Sequence, residues 1–152
     1  MSIDDRLTEL GIELPPVAAP VASYIPVVVS NGLAFVAGQV PVEEGKPISV
    51  GRLGAELSEE EGAAAARRCA LQALAALNAE LGSLDRIKRI VKLTVWVAST
   101  SDFTSQSTVA NGASDVLAEI FGDAGRHARA AVAAPALPLG VPVEVEVVAE
   151  VA

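Results

Sequence analysis

Hydrophobic positions recur along the chain with two periods, and the switches between them mark out the elements. The run "YIPVVVSNGLAFVAGQVPV" is rich in apolar and β-branched residues and is interrupted by Asn31-Gly32, a pair suited to the positive φ angles of a two-residue hairpin turn. Two antiparallel strands are expected there. "EEGKP" supplies a further turn, and Ile48 to Val50 reads as a short extended piece. The period then lengthens. Ser58 and Glu61 in "SEEE" form a capping box, in which the serine oxygen accepts from the third backbone N–H and the glutamate reaches back. Ala66, Ala70, Ala73, Leu74, Leu77 and Leu81 then recur at helical spacing, and Gly82 ends the helix. "IKRIVKLTVWVAS" returns to alternation, with Val91, Leu93, Val95 and Val97 on one side and Lys88, Ile90, Lys92, Thr94 and Trp96 on the other. A second helix is expected from Asp102 through "VANGASDVLAEIFG" to Gly122 or Gly125, weakest at Gly112. Arg129 to Ala134 and Val141 to Val151, joined by "PALPLG", close the chain as strands.

The order strand, strand, helix, strand, helix, strand, strand implies an α+β domain, a mixed sheet with its two long helices packed on one face. Residues 1–20, with the prolines of "PPVAAP", read as an N-terminal arm, extended or a short helix followed by a linker. Residues 21–152 read as a single domain. With 51% hydrophobic but only 3% aromatic residues, the core has to be built from valine, leucine and alanine through close backbone approach.

Composition removes several classes of function. A net charge of -8 argues against a nucleic-acid partner, since phosphate binding relies on clustered lysine and arginine. Arg67, Arg68, Arg86, Lys88, Arg89 and Lys92 are read as a solvated face, with an RNA-contacting patch as the alternative. The single cysteine, Cys69, lies in an alanine-rich helix, as a small buried hydrophobe would. No apolar run reaches the length of a membrane span and the N-terminus lacks a signal-peptide pattern, so a cytoplasmic protein is expected. The one histidine, His127, sits in the turn "GDAGRHAR" and is read as a surface or loop-anchoring residue. It supplies neither a metal site nor a Ser-His-Asp triad. Without a phosphate-binding or redox motif, no cofactor is indicated. Chemistry then rests on arginine, carboxylate and backbone.

Those groups stand together near the end of the chain. In "VPVEVEVV", Glu144 and Glu146 project from one face, roughly 6 to 7 Å apart, while Val143, Val145 and Val147 point into the core. The same parity puts Arg129 with Ala131 and Ala133. If the connection is a hairpin-like return, arginine and glutamates share the face away from the helices. One reading is an ion pair, Arg129 with Glu144 or Glu146, holding subunits together. The other is a carboxylate-binding site, since a guanidinium grips a carboxylate through two parallel hydrogen bonds.

"AGQVPV", "GSLDRIKRIVKLTVWV" and the terminal "ARAAV…LPLGVPVEVEVVA" resemble the Rid (YjgF/UK114) family of reactive-intermediate deaminases, also described as endoribonuclease L-PSP. The resemblance runs from about Tyr24 to the end, and "VANGASDVLAEIFGDAGRHARAAV" looks like a distinct branch. It implies a chorismate-mutase-like fold and a homotrimer with a cleft between adjacent subunits. Carried over, Arg129 matches the arginine that holds the substrate carboxylate, and Glu144 the acid that positions the attacking water. Tyr24 matches a cleft tyrosine, Gly38 a glycine whose backbone lines the pocket, and Asn111 a cleft asparagine, with Ser107 as its alternative. Ala131 stands where a cysteine is frequent, and Ala37 where a serine is; their backbone amides would remain at the pocket. Glu146 reads as an interface or solvent residue.

The implied function is hydrolysis of small 2-imino or enamine acids to 2-keto acids and ammonia, without metal or organic cofactor. A non-catalytic trimer binding small carboxylates or proteins is the alternative, and RNA binding or cleavage a third.

Overall fold

The computed structural model describes residues 1–17 and 23–152; the expected linker falls partly on 18–22, outside the described residues. The elements are α1 (Ile3–Leu10), β1 (Val27–Ser30), β2 (Leu33–Gln39), β3 (Val42–Glu43), β4 (Lys46–Pro47), α2 (Glu59–Leu81), β5 (Ile87–Ala98), α3 (Gln106–Phe121), β6 (Ala128–Ala134) and β7 (Val143–Val151). Five strands form one sheet in the order β1-β2-β7-β5-β6, and β3 pairs with β4 as a separate ribbon. Within the five-stranded sheet only β5 and β6 are parallel, joined by α3 as a crossover. α2 and α3 pack against each other and cover one face of the sheet, the α+β arrangement expected.

Local chemistry explains most of the boundaries. Asn31 and Gly32 take φ of 50° and 75°, so the hairpin closes with Ser30 opposite Leu33. Ser58 Oγ accepts from Glu61 N at 3.2 Å and Ser58 N donates to Glu61 Oε1 at 3.1 Å. Gly82 ends α2 in the left-handed region. Ala65, Ala66, Cys69, Ala70, Ala73, Leu74 and Leu77 of α2 are all fully buried, and small side chains let the helix lie close to the sheet. α3 comes closer still to α2: a Cβ on Gly112 would meet the backbone of Ala63, with the Ala63 Cα at 2.9 Å. Gly112 is therefore the contact point of the two helices. α1 lies against α3, with Leu7 buried and Arg6 Nε donating to the Glu119 carbonyl at 2.9 Å.

Three local expectations change. Ile48 to Val50 is not a strand; the ribbon ends at Pro47. The alternation of β5 shifts at a bulge between Ile90 and Lys92, so Ile90 is fully buried and Val91 only half-buried. An extra residue in one strand reverses the facing of what precedes it. α3 starts at Gln106 and not at Asp102, because the Asp102 carboxylate accepts from Thr100 Oγ1 at 2.7 Å and closes a turn upstream of the helix.

Candidate functional site

β6 is an edge strand, and its register against β5 fixes the direction of Arg129. Arg129, Ala131 and Ala133 stand opposite Leu93, Val95 and Val97, all fully buried, and directly opposed residues share a face. Arg129 therefore lies on the helix-covered side, contrary to the face expected. Glu144 and Glu146 stand opposite Trp96 and Thr94 on the open side. The hairpin-like return between β6 and β7 does not occur, since β5 lies between them. A parallel β5–β6 pair reached through α3 turns the arginine toward the helix.

Arg129 is seated by α3. Its Nη1 donates to Asn111 Oδ1 at 2.8 Å and to Ser114 Oγ at 3.1 Å, and its Nη2 to the Ser107 carbonyl at 3.4 Å. Residues 107, 111 and 114 follow at helical spacing on one face. Asn111 and Ser107 both reach the arginine, one through its side chain and the other through its backbone. Every one of these partners is neutral, and among the described residues no carboxylate forms an ion pair with Arg129. The guanidinium is oriented without being neutralised.

On the other face Glu144 leans over Gly38. β2 carries a bulge between Val36 and Gln39 that turns Gly38 toward the carboxylate, and a Cβ there would run into Glu144 Oε2. Trp96 Nε1 donates to Glu146 Oε1 at 2.9 Å, whereas among the described residues the Glu144 carboxylate accepts no hydrogen bond. Burial raises the Glu144 carboxyl above the ordinary glutamate value of 4.5, and the neighbouring charge of Glu146 adds to the rise. Tyr24 stands exposed just ahead of β1. The bond from Ala37 N to the Pro26 carbonyl, 2.8 Å, extends the β1–β2 pairing and brings Tyr24 to the Gly38 end of β2. Ala131 packs against the core one row beyond Arg129. The expected residues thus form two groups on opposite faces, Arg129 with Asn111 and Ser107, and Glu144 with Gly38, and Tyr24 precedes β1 at the Gly38 end of β2.

Ser114 was not anticipated, although its spacing from Asn111 places both on one turn of α3. Gln72 was also missed; it is a buried amide in the alanine-rich helix. Its Nε2 donates to the Val40 carbonyl at 2.8 Å, its Oε1 accepts from Val42 N at 3.0 Å, and Arg68 Nε donates to the Val42 carbonyl at 3.0 Å. This clamp holds the chain just beyond Gly38. The basic cluster breaks up: Arg86 binds the Leu81 and Ala152 carbonyls, Arg89 the Arg126 carbonyl, and Lys88 pairs with Glu150 at 3.5 Å. Among the described residues no group of three or more His, Cys, Asp and Glu is placed to hold a metal ion, and no helix is long and apolar enough to cross a membrane.

Residues 4–151 match the family described as "YjgF/chorismate_mutase-like, putative endoribonuclease". The chain belongs to the YjgF/endoribonuclease L-PSP family. Among YjgF relatives it is 49% identical over 146 residues to Protein TCP17 of Trypanosoma cruzi, covering 95% of this chain and 91% of that protein. The crystal structure of protein Atu1372 from Agrobacterium tumefaciens, of unknown function, is 40% identical, with a TM-score of 0.91 over 99% of this chain and 92% of that one. A Shewanella oneidensis structure described in the same endoribonuclease terms is 37% identical, with a TM-score of 0.95 over 99% and 100% of the two chains. In this YjgF chain the Cys69 thiol is fully buried, and desolvation first, then the Glu144 charge, pushes its ionisation well up. That leaves it inert as a nucleophile.

Proposed function

We propose that the protein hydrolyses small 2-imino or enamine acids to 2-keto acids and ammonia, in a cleft between subunits of a homotrimer. The observation that carries this reading is the division of the candidate residues between two faces of one sheet. The Arg129 group lies at the β6 edge, and the Glu144 group lies on an open face that also exposes Phe35, Val28 and Val132. An apolar sheet face of this kind calls for a covering surface. A neighbouring subunit laid on it would bring its own Arg129 toward Glu144, giving one site from two chains.

In such a cleft the unneutralised guanidinium of Arg129 binds the substrate carboxylate in two parallel bonds, with Asn111 and Ser114 fixing its angle. Glu144 takes a proton from water as its oxygen adds to the imine carbon. Glu144 passes that proton to the nitrogen, then takes the hydroxyl hydrogen of the carbinolamine and relays it to the same nitrogen; the carbonyl forms as the C–N bond breaks, and ammonia leaves a keto acid. A carboxyl raised by burial suits this task better than an ordinary one. Tyr24 and the backbone at Gly38 border the same space, and no cofactor enters the scheme.

Ala37 and Ala131 favour binding without turnover as the second reading, because neither can give or take a proton. Calorimetry with a panel of keto acids would then register heat where the assay registers no product. RNA cleavage is supported by the description of the relatives, but Arg86 and Arg89 are turned onto main-chain oxygens and Lys88 pairs with Glu150, which disperses the basic cluster in a chain of net charge -8. The decisive assay supplies a freshly generated imino acid and follows keto-acid release. Arg129→Ala is expected to raise KM and lower kcat/KM by roughly 100-fold, the loss of about two charge-assisted hydrogen bonds. Equal rates for the two proteins would sink the assignment.

A further inference from the structure

Beside Arg129 a groove of about 310 Å³ is lined by Ser114, Asp115, Gly125, Arg126 and His127, and it contains a hydrogen-bonded chain that runs past Arg129 and Ser114 to His127, a residue that imine hydrolysis does not use. His127 Nδ1 lies 2.7 Å from the Gly125 carbonyl oxygen. That oxygen only accepts, so Nδ1 carries the proton, and in the neutral ring Nε2 is left as the acceptor. Nε2 lies 2.8 Å from Ser114 Oγ and takes the hydroxyl hydrogen. Arg129 Nη1 donates to the same Oγ at 3.1 Å. The serine oxygen thus gives its hydrogen to a base and receives one from a cation, and both interactions favour its alkoxide. A nucleophile, a base within reach and a third group orienting the base are the parts of an activated serine, here with a carbonyl where a triad has a carboxylate.

We propose that Ser114 is a nucleophile activated by His127, and that this groove accepts small esters carrying an anionic group, recognised by Arg126 and Arg129. Ser114 Oγ adds to the acyl carbon while its proton passes to His127 Nε2. The tetrahedral adduct, its oxyanion facing the guanidinium, collapses with cleavage of the ester C–O bond, and the departing alcohol takes the proton back from His127. Water then follows the same route, releasing the carboxylic acid and restoring the serine. Arg126 is free for this role, since its only acidic partner among the described residues, Asp123, stands at 3.9 Å.

The proposal shares Arg129 and Ser114 with the imine site but does not rest on imine hydrolysis, and its test contains no imine. The protein is mixed with 4-nitrophenyl acetate or with the 4-nitrophenyl half-ester of succinate, and nitrophenolate release is followed together with the intact mass. The expected result is a burst of one nitrophenolate per chain and an acyl group on the peptide containing Ser114, formed at least tenfold faster from the succinate half-ester. Ser114→Ala should lose the adduct, and His127→Gln should slow acylation by roughly 100-fold, the scale of general-base assistance. Ser114→Cys, nearly equal in volume, should carry the acyl group on sulfur and serves if the alanine variant does not fold. An adduct on another residue, no adduct, or an unchanged rate in His127→Gln would overturn the proposal. Equal rates with the two esters would overturn its anionic substrate class.

Discussion

Glu144→Gln is expected to lower kcat for imino-acid hydrolysis by roughly 100-fold or more, the usual loss on removing a general base, with KM changed only a few-fold. The amide keeps the shape over Gly38 but cannot accept a proton from water, while Arg129, the proposed anchor of the substrate carboxylate, is untouched. The pH profile of the wild type gives a second readout. In the proposed reaction Glu144 is the unprotonated base, so kcat should fall as pH drops through its pKa. Because burial holds that carboxyl above 4.5, the fall should begin at a higher pH than an ordinary glutamate would set. Stability runs the other way. The folded chain holds this proton more tightly than the unfolded chain, so folding loses stability as pH rises from the ordinary glutamate value through the raised one. Glu144→Gln should therefore melt no lower than the wild type at neutral pH. A variant that melted well below it would mean that the carboxylate is a structural anchor.

Gly112→Ala should produce the largest loss of stability. In an open helix the change would stabilise by about 1 kcal/mol, since glycine is the poorer helix former. Here the new Cβ meets the Ala63 carbonyl and Cα, which are backbone atoms and cannot rotate away. Overpacking of a fixed contact costs on the order of 3 kcal/mol, leaving a net loss of about 2 kcal/mol. For a chain of this size that corresponds to a fall in Tm of roughly 4 to 8 °C, measurable by calorimetry. An unchanged or higher Tm would show that α2 and α3 are not in backbone contact at this point.

Where a feature depends on neighbours in the chain, the amino-acid pattern was enough to find it. The Asn31-Gly32 hairpin, the Ser58–Glu61 cap and the Gly82 stop each involve residues no more than a few positions apart, and all three stand where expected. The direction of Arg129 does not belong to this class. Parity within β6 correctly grouped it with Ala131 and Ala133, but which face that group occupies depends on strand order, and β6 pairs with β5 and not with β7. Ile90 misled in a similar way, because a bulge is invisible to a strict alternation of two. His127 was read as a surface or loop-anchoring residue, and the fold makes it an anchor through the Gly125 carbonyl. Its bond to Ser114 joins residues 13 positions apart across the turn that ends α3, and required the fold.

Placing Arg129 and Glu144 on opposite faces gives the proposed cleft a genetic signature. Two dead variants, Arg129→Ala and Glu144→Gln, would each still own the half of the site that the other lacks. Unfolded together and refolded as a mixture, they should recover up to about a quarter of wild-type activity, since random assembly around a closed ring puts one intact half of each kind at about one junction in four. Residues acting within one chain would show no such mutual rescue.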